Sequence, residues 1–518
     1  MPIEEEVQDV RGYLVALVMF SLASLLVVVA PTASGTRTDA NVKVTITRGG
    51  CVVSPRVIES GATAFRIANR SERPAAFSVA GKRTSVAPGR QARLTVTVRS
   101  SRIAYFCKVA GRQVGRGFLR VEAAPQSEVE HRIGVREVGG FGELYDRTTG
   151  TRFVPRGSNY IRLAPQVDTI GRHFVYHSNF IVGEYDATRA EAALTRMAAS
   201  GYNVVRVFLN TTCAQGCSTN TRTGEISSAY VANLVDFLRR ARSHGMFVML
   251  TGDWLPGGAA YDAIGAGIRR DWFDDVNIIF LSPQGVQMSI LFWQGLIREL
   301  IRQRAPLDAV FAYSLWNEAV VWAARPPLTL SSGRVTTANG QSYDMASTGD
   351  RKRMIDDGFV YYIDQLRSAI VQIDPTALVT MGFFHDTEPN PARRGDDRVV
   401  RTRAVIERST ADFIDIHPYP DDELTFPQFM QNYGIDGPVR KPIVIGEMGA
   451  ARRNIATSAG AANALVAWQR TSCAYGIDGW LLWTWDTNEQ PDLWNALSDG
   501  GVIERALAPK TRPDPCAG

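Results

Sequence analysis

Two glutamates stand where paired-acid chemistry could be done. Glu318 follows the run from Phe311 to Asn317, and Glu447 follows Ile443 to Gly446. Each therefore sits at the C-terminal end of a short apolar stretch of the kind that forms a strand buried on both faces. A carboxylic acid in such a place is costly to keep unless it meets a partner. Two of them converging across the mouth of a barrel can act as proton donor and nucleophile on a glycosidic bond.

Something must bring together two residues so far apart in the chain. Strand-like runs recur at 153–160, 203–208, 247–251, 309–316, 378–382, 413–417, 443–446 and 479–485. Between them lie segments of helical period, among them 188–200, 230–244, 287–304 and 352–373. Eight strands alternating with helices predict an α/β domain of the (β/α)8 TIM barrel type. An open doubly wound sheet would alternate in a similar way, but no Gly-x-Gly-x-x-Gly loop opens a helix here. The runs just before the glutamates count as strands four and seven, whose C-terminal ends face the same barrel mouth.

On that frame the residues resemble a known family. Arg206 on strand two, Trp316, Asn317 and Glu318 on strand four, His417, Pro418 and Tyr419 on strand six, Gly446 and Glu447 on strand seven and Trp483 on strand eight form an ordered set. It is similar to clan A glycoside hydrolases, most nearly family 5, the cellulase and mannanase-like enzymes, over roughly residues 140–500. The resemblance implies a retaining double displacement with Glu447 as nucleophile and Glu318 as acid/base. It also implies that Arg206 holds Glu447 ionised and that Asn317 bonds the sugar 2-hydroxyl. Tyr419 would bond Glu447, His417 would line the site, and Trp483 would offer a flat face to a sugar ring. Trp483 and Trp485 share a face if the strand's period of two continues, so only one of them is expected to be a platform. Trp254, Trp272, Trp322 and Trp494 are either further sugar platforms or packing. Ala319 replaces the Pro that many relatives carry after the acid. Residues 252–254, Gly-Asp-Trp, lack the His that many cellulases place there, so cellulose does not follow as substrate, and Asp253 is either a sugar contact or a loop cap. Long loops at 161–187, 252–283 and 319–347 could wall the cleft into a pocket. The competing reading is a surface-anchored carbohydrate-binding protein on an inactive barrel, which requires one carboxylate to be missing. The chemistry implied calls for no metal and no cofactor.

The remaining sequence defines the setting. At 518 residues and 45% hydrophobic content the chain is large enough for two folded units. Residues 41–122 alternate short β-rich runs with turn residues, which predicts a small antiparallel β-sandwich. Its segments 77–81, 86–89 and 105–107 resemble the cupredoxin fold. A type 1 copper site needs two His beside its Cys, however, and no His occurs between 41 and 123, so a copper-free spacer or binding module is expected. Residues 123–135 read as a linker, 136–518 as the barrel domain, and 142–150 as a hairpin within it. Residues 12–30 form an uncharged stretch that suits either a cleaved signal or an uncleaved anchor within residues 1–40. The chain is thus expected outside the cell, free or held at the membrane. Six cysteines in an exported chain fit three disulfides, Cys51 with Cys107, Cys213 with Cys217 and Cys473 with Cys516. There is no Cys-x-x-Cys or His-Glu-x-x-His, so a zinc site is not indicated. Net charge is only +5 and the basic residues look scattered, which gives nucleic-acid binding little support.

Overall fold

A computed structural model of the chain describes residues 41–98, 100–122, 126–167, 171, 173–211, 213, 215–384, 395–420 and 424–516. The apolar stretch 12–30 lies outside the described residues. Among those described, no helix is long and apolar enough to cross a membrane. The chain divides into two compact units, one up to Ala124 and one from Pro125.

The first unit is a sandwich of a four-stranded and a five-stranded sheet. The four-stranded sheet runs in the order Gly50–Ser54, Asn41–Thr47, Gly61–Asn69, Gln91–Val98; the other runs Val57–Glu59, Arg112–Glu122, Arg102–Val109, Ala75–Val79, Lys82–Val86. Alternation along Arg102–Val109 sends Ile103, Tyr105, Cys107 and Val109 inward, where they meet Phe65, Ile67 and Phe77 in a closed core. The sandwich is not wholly antiparallel, contrary to expectation. Asn41–Thr47 pairs with Gly61–Asn69 in parallel, as does Val57–Glu59 with Arg112–Glu122. The reason is topological: the chain leaves the first sheet to lay down Val57–Glu59 in the second and then returns, and only such a crossover permits parallel neighbours. Disulfides join Cys51 to Cys107 here, and Cys213 to Cys217 and Cys473 to Cys516 in the second unit.

In the second unit, the segment read as a linker is bonded to the barrel from Gln126 onward. The Gln126 amide donates to Gln372 O at 2.8 Å and the Ser127 N–H to Ile373 O at 2.6 Å. His131, fully buried, lies 2.8 Å from Asp374, which also accepts from the Tyr313 hydroxyl at 2.8 Å. The hairpin comes earlier than the sequence suggested. Its strands are Ile133–Val138 and Phe141–Asp146, and its two-residue turn is Gly139 and Gly140, both at positive φ, where a side chain would be strained. Residues 142–150 are its second strand and the following turn. Ile133 and Leu144 of this hairpin pack against Val204, Met249, Phe311, Val444 and Leu481, and so plug one end of the barrel.

The barrel strands are β1 (Arg156–Asn159), β2 (Val204–Phe208), β3 (Phe247–Thr251), β4 (Val310–Ser314), β5 (Val379–Thr380 and Gly382–Phe383), β6 (Ile414–Ile416), β7 (Ile443–Met448) and β8 (Ile477–Leu482). All neighbours are parallel. The two pieces of β5 close the ring, the first pairing with β4 and the second with β6. Helices α1 (Ala187–Ala199), α2 (Ser228–Ser243), α3 (Pro283–Arg302), α4 (Thr348–Val371), α5 (Arg403–Arg408), α6 (Phe426–Tyr433), α7 (Ser458–Ser472) and α8 (Ser498–Leu507) follow the strands in turn. Their starts are set chemically. Asp186, Ser227, Ser282, Ser347 and Thr457 each cap a helix through a side-chain oxygen, a contact that contributes about 1 kcal/mol apiece. With helices outside and the hairpin below, the free end of the barrel is the one where the strands finish.

Candidate active site

Strands β4 and β7 deliver the two glutamates to that end. Glu447 is the penultimate residue of β7, with its side chain 4% exposed. Glu318 lies four residues past β4, with 27% exposure. Its backbone is in the left-handed region, φ 50°, which is unfavourable for a residue with a Cβ. Neighbouring bonds impose it: Asn317 N–H donates to Gly252 O at 2.9 Å and Ala319 N–H to Gly382 O at 2.8 Å. Such strain persists only where the surroundings over-determine the conformation, and it is concentrated at sites of function.

Arg206, on β2 and fully buried, organises the acids. One terminal nitrogen donates to Glu447 Oε1 at 2.5 Å and Asn159 Oδ1 at 2.9 Å; the other donates to Asn317 Oδ1 at 2.8 Å. A guanidinium has no acceptor, so Asn317 must turn its oxygen toward Arg206, which leaves its NH2 as the group able to donate elsewhere. Asn159, at the end of β1, is held by its own NH2, which donates to Gly446 O at 2.9 Å and Leu482 O at 3.2 Å. The Tyr419 hydroxyl donates to Glu447 Oε2 at 2.9 Å. Both oxygens of Glu447 therefore accept from donors, which is the pattern of a carboxylate.

His417 joins the two acids. Its Nδ1 is 3.1 Å from Glu318 Oε1 and 3.6 Å from Glu447 Oε1, and its Nε2 is 3.4 Å from Asp415 Oδ1. Burial by itself would drive the imidazole to its neutral form. The charges of Glu447 and Asp415, with the close approach of Asp415 and the hydrogen bond to Glu318, outweigh that and push its pKa up to about 10. Burial likewise pushes the Glu447 carboxyl up, against the charges of His417 and Arg206 and the Tyr419 bond. These two shifts pull on one proton. We place it on His417, because Arg206 and Tyr419 occupy both oxygens of Glu447 with donors. A His whose folded pKa is raised stabilises the fold fully below its unfolded value near 6.5, and loses that contribution as pH rises through about 10. The stability gap between the wild type and His417→Gln, from urea unfolding, is accordingly expected to be widest near pH 6 and to shrink toward pH 10. A gap that widens with pH would mean that His417 is buried neutral.

Aromatic side chains line one side. Trp483 meets Phe208 edge-on at 5.8 Å, and its indole N–H donates to Gln490 Oε1 at 3.1 Å. Trp485 does not share that face: it packs on Tyr202 in the outer core, because β8 ends at Leu482 and its alternation does not continue. Trp494 is packing, with its N–H on Ile455 O at 2.7 Å and Arg452 over its ring at 3.8 Å. Trp322 and Trp272 lie half-buried against the core, the latter under Arg269 at 3.9 Å. Trp254 is different, being 39% exposed, with its N–H on the Tyr176 hydroxyl at 3.3 Å and its ring edge-on to Trp316 at 6.0 Å.

Three contributors escaped the sequence reading. Asn159 ends the first strand-like run and Asp415 precedes His417 by two, on the same face of β6, so period-two alternation from His417 could have found Asp415. The third, His177, carries no local signal. It comes from a hairpin, Leu163–Val167 with His173–His177, inside the loop after β1. That hairpin sets His177 4.2 Å from the Phe208 ring and 3.6 Å from Asp253, so the residues after β3 face an imidazole supplied from elsewhere in the chain.

The donor atoms of Glu318, His417 and Glu447 all lie within 4.8 Å of one another. By type they could ligate a divalent cation, but Arg206 already supplies the positive charge at Glu447.

No family model and no curated protein matches this chain in sequence. Among solved structures, it is similar to the endo-1,4-beta-mannanase from Rhizomucor miehei, with a TM-score of 0.50 and 16% identity over 74% of this chain and 100% of that one. It is also similar to the exo-beta-1,4-mannosidase Op5Man5 from Opitutaceae bacterium strain TAV5, with a TM-score of 0.45 and 16% identity over 72% of this chain. The match spans 61% of that mannosidase's length. A Bacteroides ovatus GH5 xyloglucanase, solved with a XXXG heptasaccharide, matches with a TM-score of 0.42 and 13% identity over 87% of this chain and 98% of its own. At these identities the likeness to the Rhizomucor mannanase shows a shared fold, the (β/α)8 barrel.

Proposed function

We propose that this chain is a retaining glycoside hydrolase that cleaves O-glycosidic bonds of a polysaccharide or glycoconjugate, as an endo-β-glycanase of the cellulase and mannanase-like kind. The observation that carries the reading is the pair Glu318 and Glu447, which offer oxygens within 4.8 Å of each other at the barrel mouth, one acid buried and bonded to Arg206 and Tyr419, the other 27% exposed and beside His417. Retaining enzymes hold their carboxyl groups about 5–5.5 Å apart, whereas inverting enzymes need roughly 6.5–9.5 Å to admit a water. In the first step Glu447 attacks the anomeric carbon while Glu318 gives its proton to the departing oxygen. In the second, Glu318 takes a proton from water, which displaces Glu447 from the same face. His417 Nδ1 lies 3.1 Å from Glu318 Oε1 and so helps to orient the carboxyl that would donate the proton. Asn317, turned by Arg206, offers its NH2 to a sugar hydroxyl, and Trp254, 39% exposed, offers a ring face, while Trp483, only 4% exposed, would meet a sugar at the floor of the site.

Three disulfides suit an oxidising compartment outside the cytosol, where residues 12–30 would serve as export signal or membrane anchor. The proposal is tested by following the anomeric protons of the first product by NMR on β-mannan and β-glucan substrates. The β configuration should appear first and decay by mutarotation; an α product appearing first would remove the retaining mechanism.

A further inference from the structure

The net charge of +5 conceals a strong asymmetry. Residues 41–122 hold sixteen Lys and Arg against three Glu and no Asp, a net +13 in 82 residues, so the rest of the chain sums to −8. The basic residues are therefore concentrated in the sandwich, contrary to the impression given by the whole sequence. A self-repelling charge of this size destabilises a small compact domain, and its retention points to a partner of opposite sign.

The outer face of the five-stranded sheet organises this charge. On Arg102–Val109, alternation turns Arg102, Phe106 and Lys108 to solvent. On the neighbouring strand Arg116 lies opposite Phe106, and Arg120 opposite Arg102. Like charges directly opposite on a sheet are unfavourable. Phe118, 53% exposed, lies beside them with the Arg102 guanidinium 3.9 Å over its ring, and Phe106 is 41% exposed. Arg120 meets Glu122 at 3.2 Å, but Arg102, Lys108 and Arg116 meet no carboxylate among the described residues. Two exposed rings thus stand among cations on one face of the sheet.

We propose that this face binds an acidic polysaccharide, its guanidinium groups pairing with uronate carboxylates and its phenyl rings lying against sugar rings. Guanidinium forks match carboxylates in a bidentate geometry, and exposed aromatic faces suit sugar rings in the same way that they suit bases. The Cys51–Cys107 disulfide, next to Phe106, favours a compartment outside the cytosol over one holding nucleic acid. The rings belong to paired strands rather than to a protruding loop, which favours contact along a polymer over insertion into a lipid surface. The inference stands on the sandwich alone and is independent of the chemistry assigned to the barrel.

The test is affinity electrophoresis of the full chain through gels holding polygalacturonate, neutral galactomannan or single-stranded DNA, with flotation on phosphatidylglycerol vesicles. Polygalacturonate should retard the chain, and salt should progressively release it as the charges are screened. The triple variant R102Q/K108Q/R116Q should bind roughly tenfold more weakly, since three exposed ion pairs are each worth a factor of about two to three. F106A/F118A should also weaken binding while keeping the salt dependence. K43Q/R66Q, which removes charge from the opposite sheet, should stay within about twofold of wild type. Absence of retardation at low salt, equal losses in the opposite-sheet variant, or preferential binding to DNA or vesicles through the same face would each overturn the assignment.

Discussion

Glu447→Ala is expected to lose turnover on every glycoside, by a factor on the order of 10^5–10^6, the scale of a lost nucleophile. Azide should restore part of the activity and yield an inverted glycosyl azide. The reasoning is steric as much as chemical. Removing the carboxylate leaves a space beneath the anomeric carbon, flanked by Arg206 and Tyr419, and a small anion attracted there by the guanidinium attacks from the face that Glu447 used. Glu318→Ala should behave differently. An aryl glycoside with a good leaving group needs little protonation, so formation of the glycosyl-enzyme survives, while natural glycans lose the roughly 10^2–10^4-fold supplied by general acid catalysis. Azide then attacks the glycosyl-enzyme and gives a product of retained configuration. Equal losses in both variants on all substrates, or azide products of the same configuration from both, would exchange or abolish the two roles. The inactive-barrel alternative makes a simpler claim, that wild-type protein turns over none of these substrates.

Much of the barrel was legible because a parallel strand covered on both faces must be apolar throughout. The runs at 204–208, 247–251 and 310–314 are buried at every residue in the fold, as are Ile443–Met448 and Ile477–Leu482. The glutamates were legible for the converse reason, that a charge at the end of such a run stands out. What was not legible depended on long-range placement. Nothing near His177 indicates that a hairpin will carry it to Asp253, since that contact links a loop after β1 to the end of β3. Asp415 was the legible exception that was overlooked, since it stands two residues before His417 and the period of two places both on one side of the chain. The parallel pairs of the sandwich were missed because each strand looks the same whichever direction its neighbour runs. Charge was misjudged in another way: the sum over the chain cancels a basic sandwich against an acidic remainder.

Arg206→Ala should show that the site and the stability of the barrel rest on the same buried charge. The guanidinium is wholly inaccessible and bonds Glu447, Asn159 and Asn317 at once, so its loss strands a buried carboxylate and two amide oxygens. Breaking a buried ion pair from one side costs about 3–5 kcal/mol, which urea unfolding at pH 7 would register directly. The sign of the pH dependence follows from Glu447. Its carboxyl is already raised by burial, and without Arg206 one of the two charges opposing that burial disappears, so its folded pKa rises further above the unfolded value. A carboxyl raised in the folded state costs stability where it is ionised, and the cost vanishes as pH falls below the unfolded value near 4.3. The deficit of Arg206→Ala should therefore be large at pH 7–8 and shrink toward pH 4. The acid limb of kcat/KM should move upward by the same linkage, because less of Glu447 is ionised at a given pH. Arg206→Lys separates charge from geometry: an ammonium can keep Glu447 ionised, but it cannot reproduce the fork that spans Glu447 and Asn317. It should recover most of the stability and the position of the acid limb while leaving kcat low, since Asn317 is no longer turned to present its NH2. An active Arg206→Ala with an unmoved acid limb, or a deficit that grows on acidification, would reduce Arg206 to packing and leave Glu447 without the group that keeps it a nucleophile.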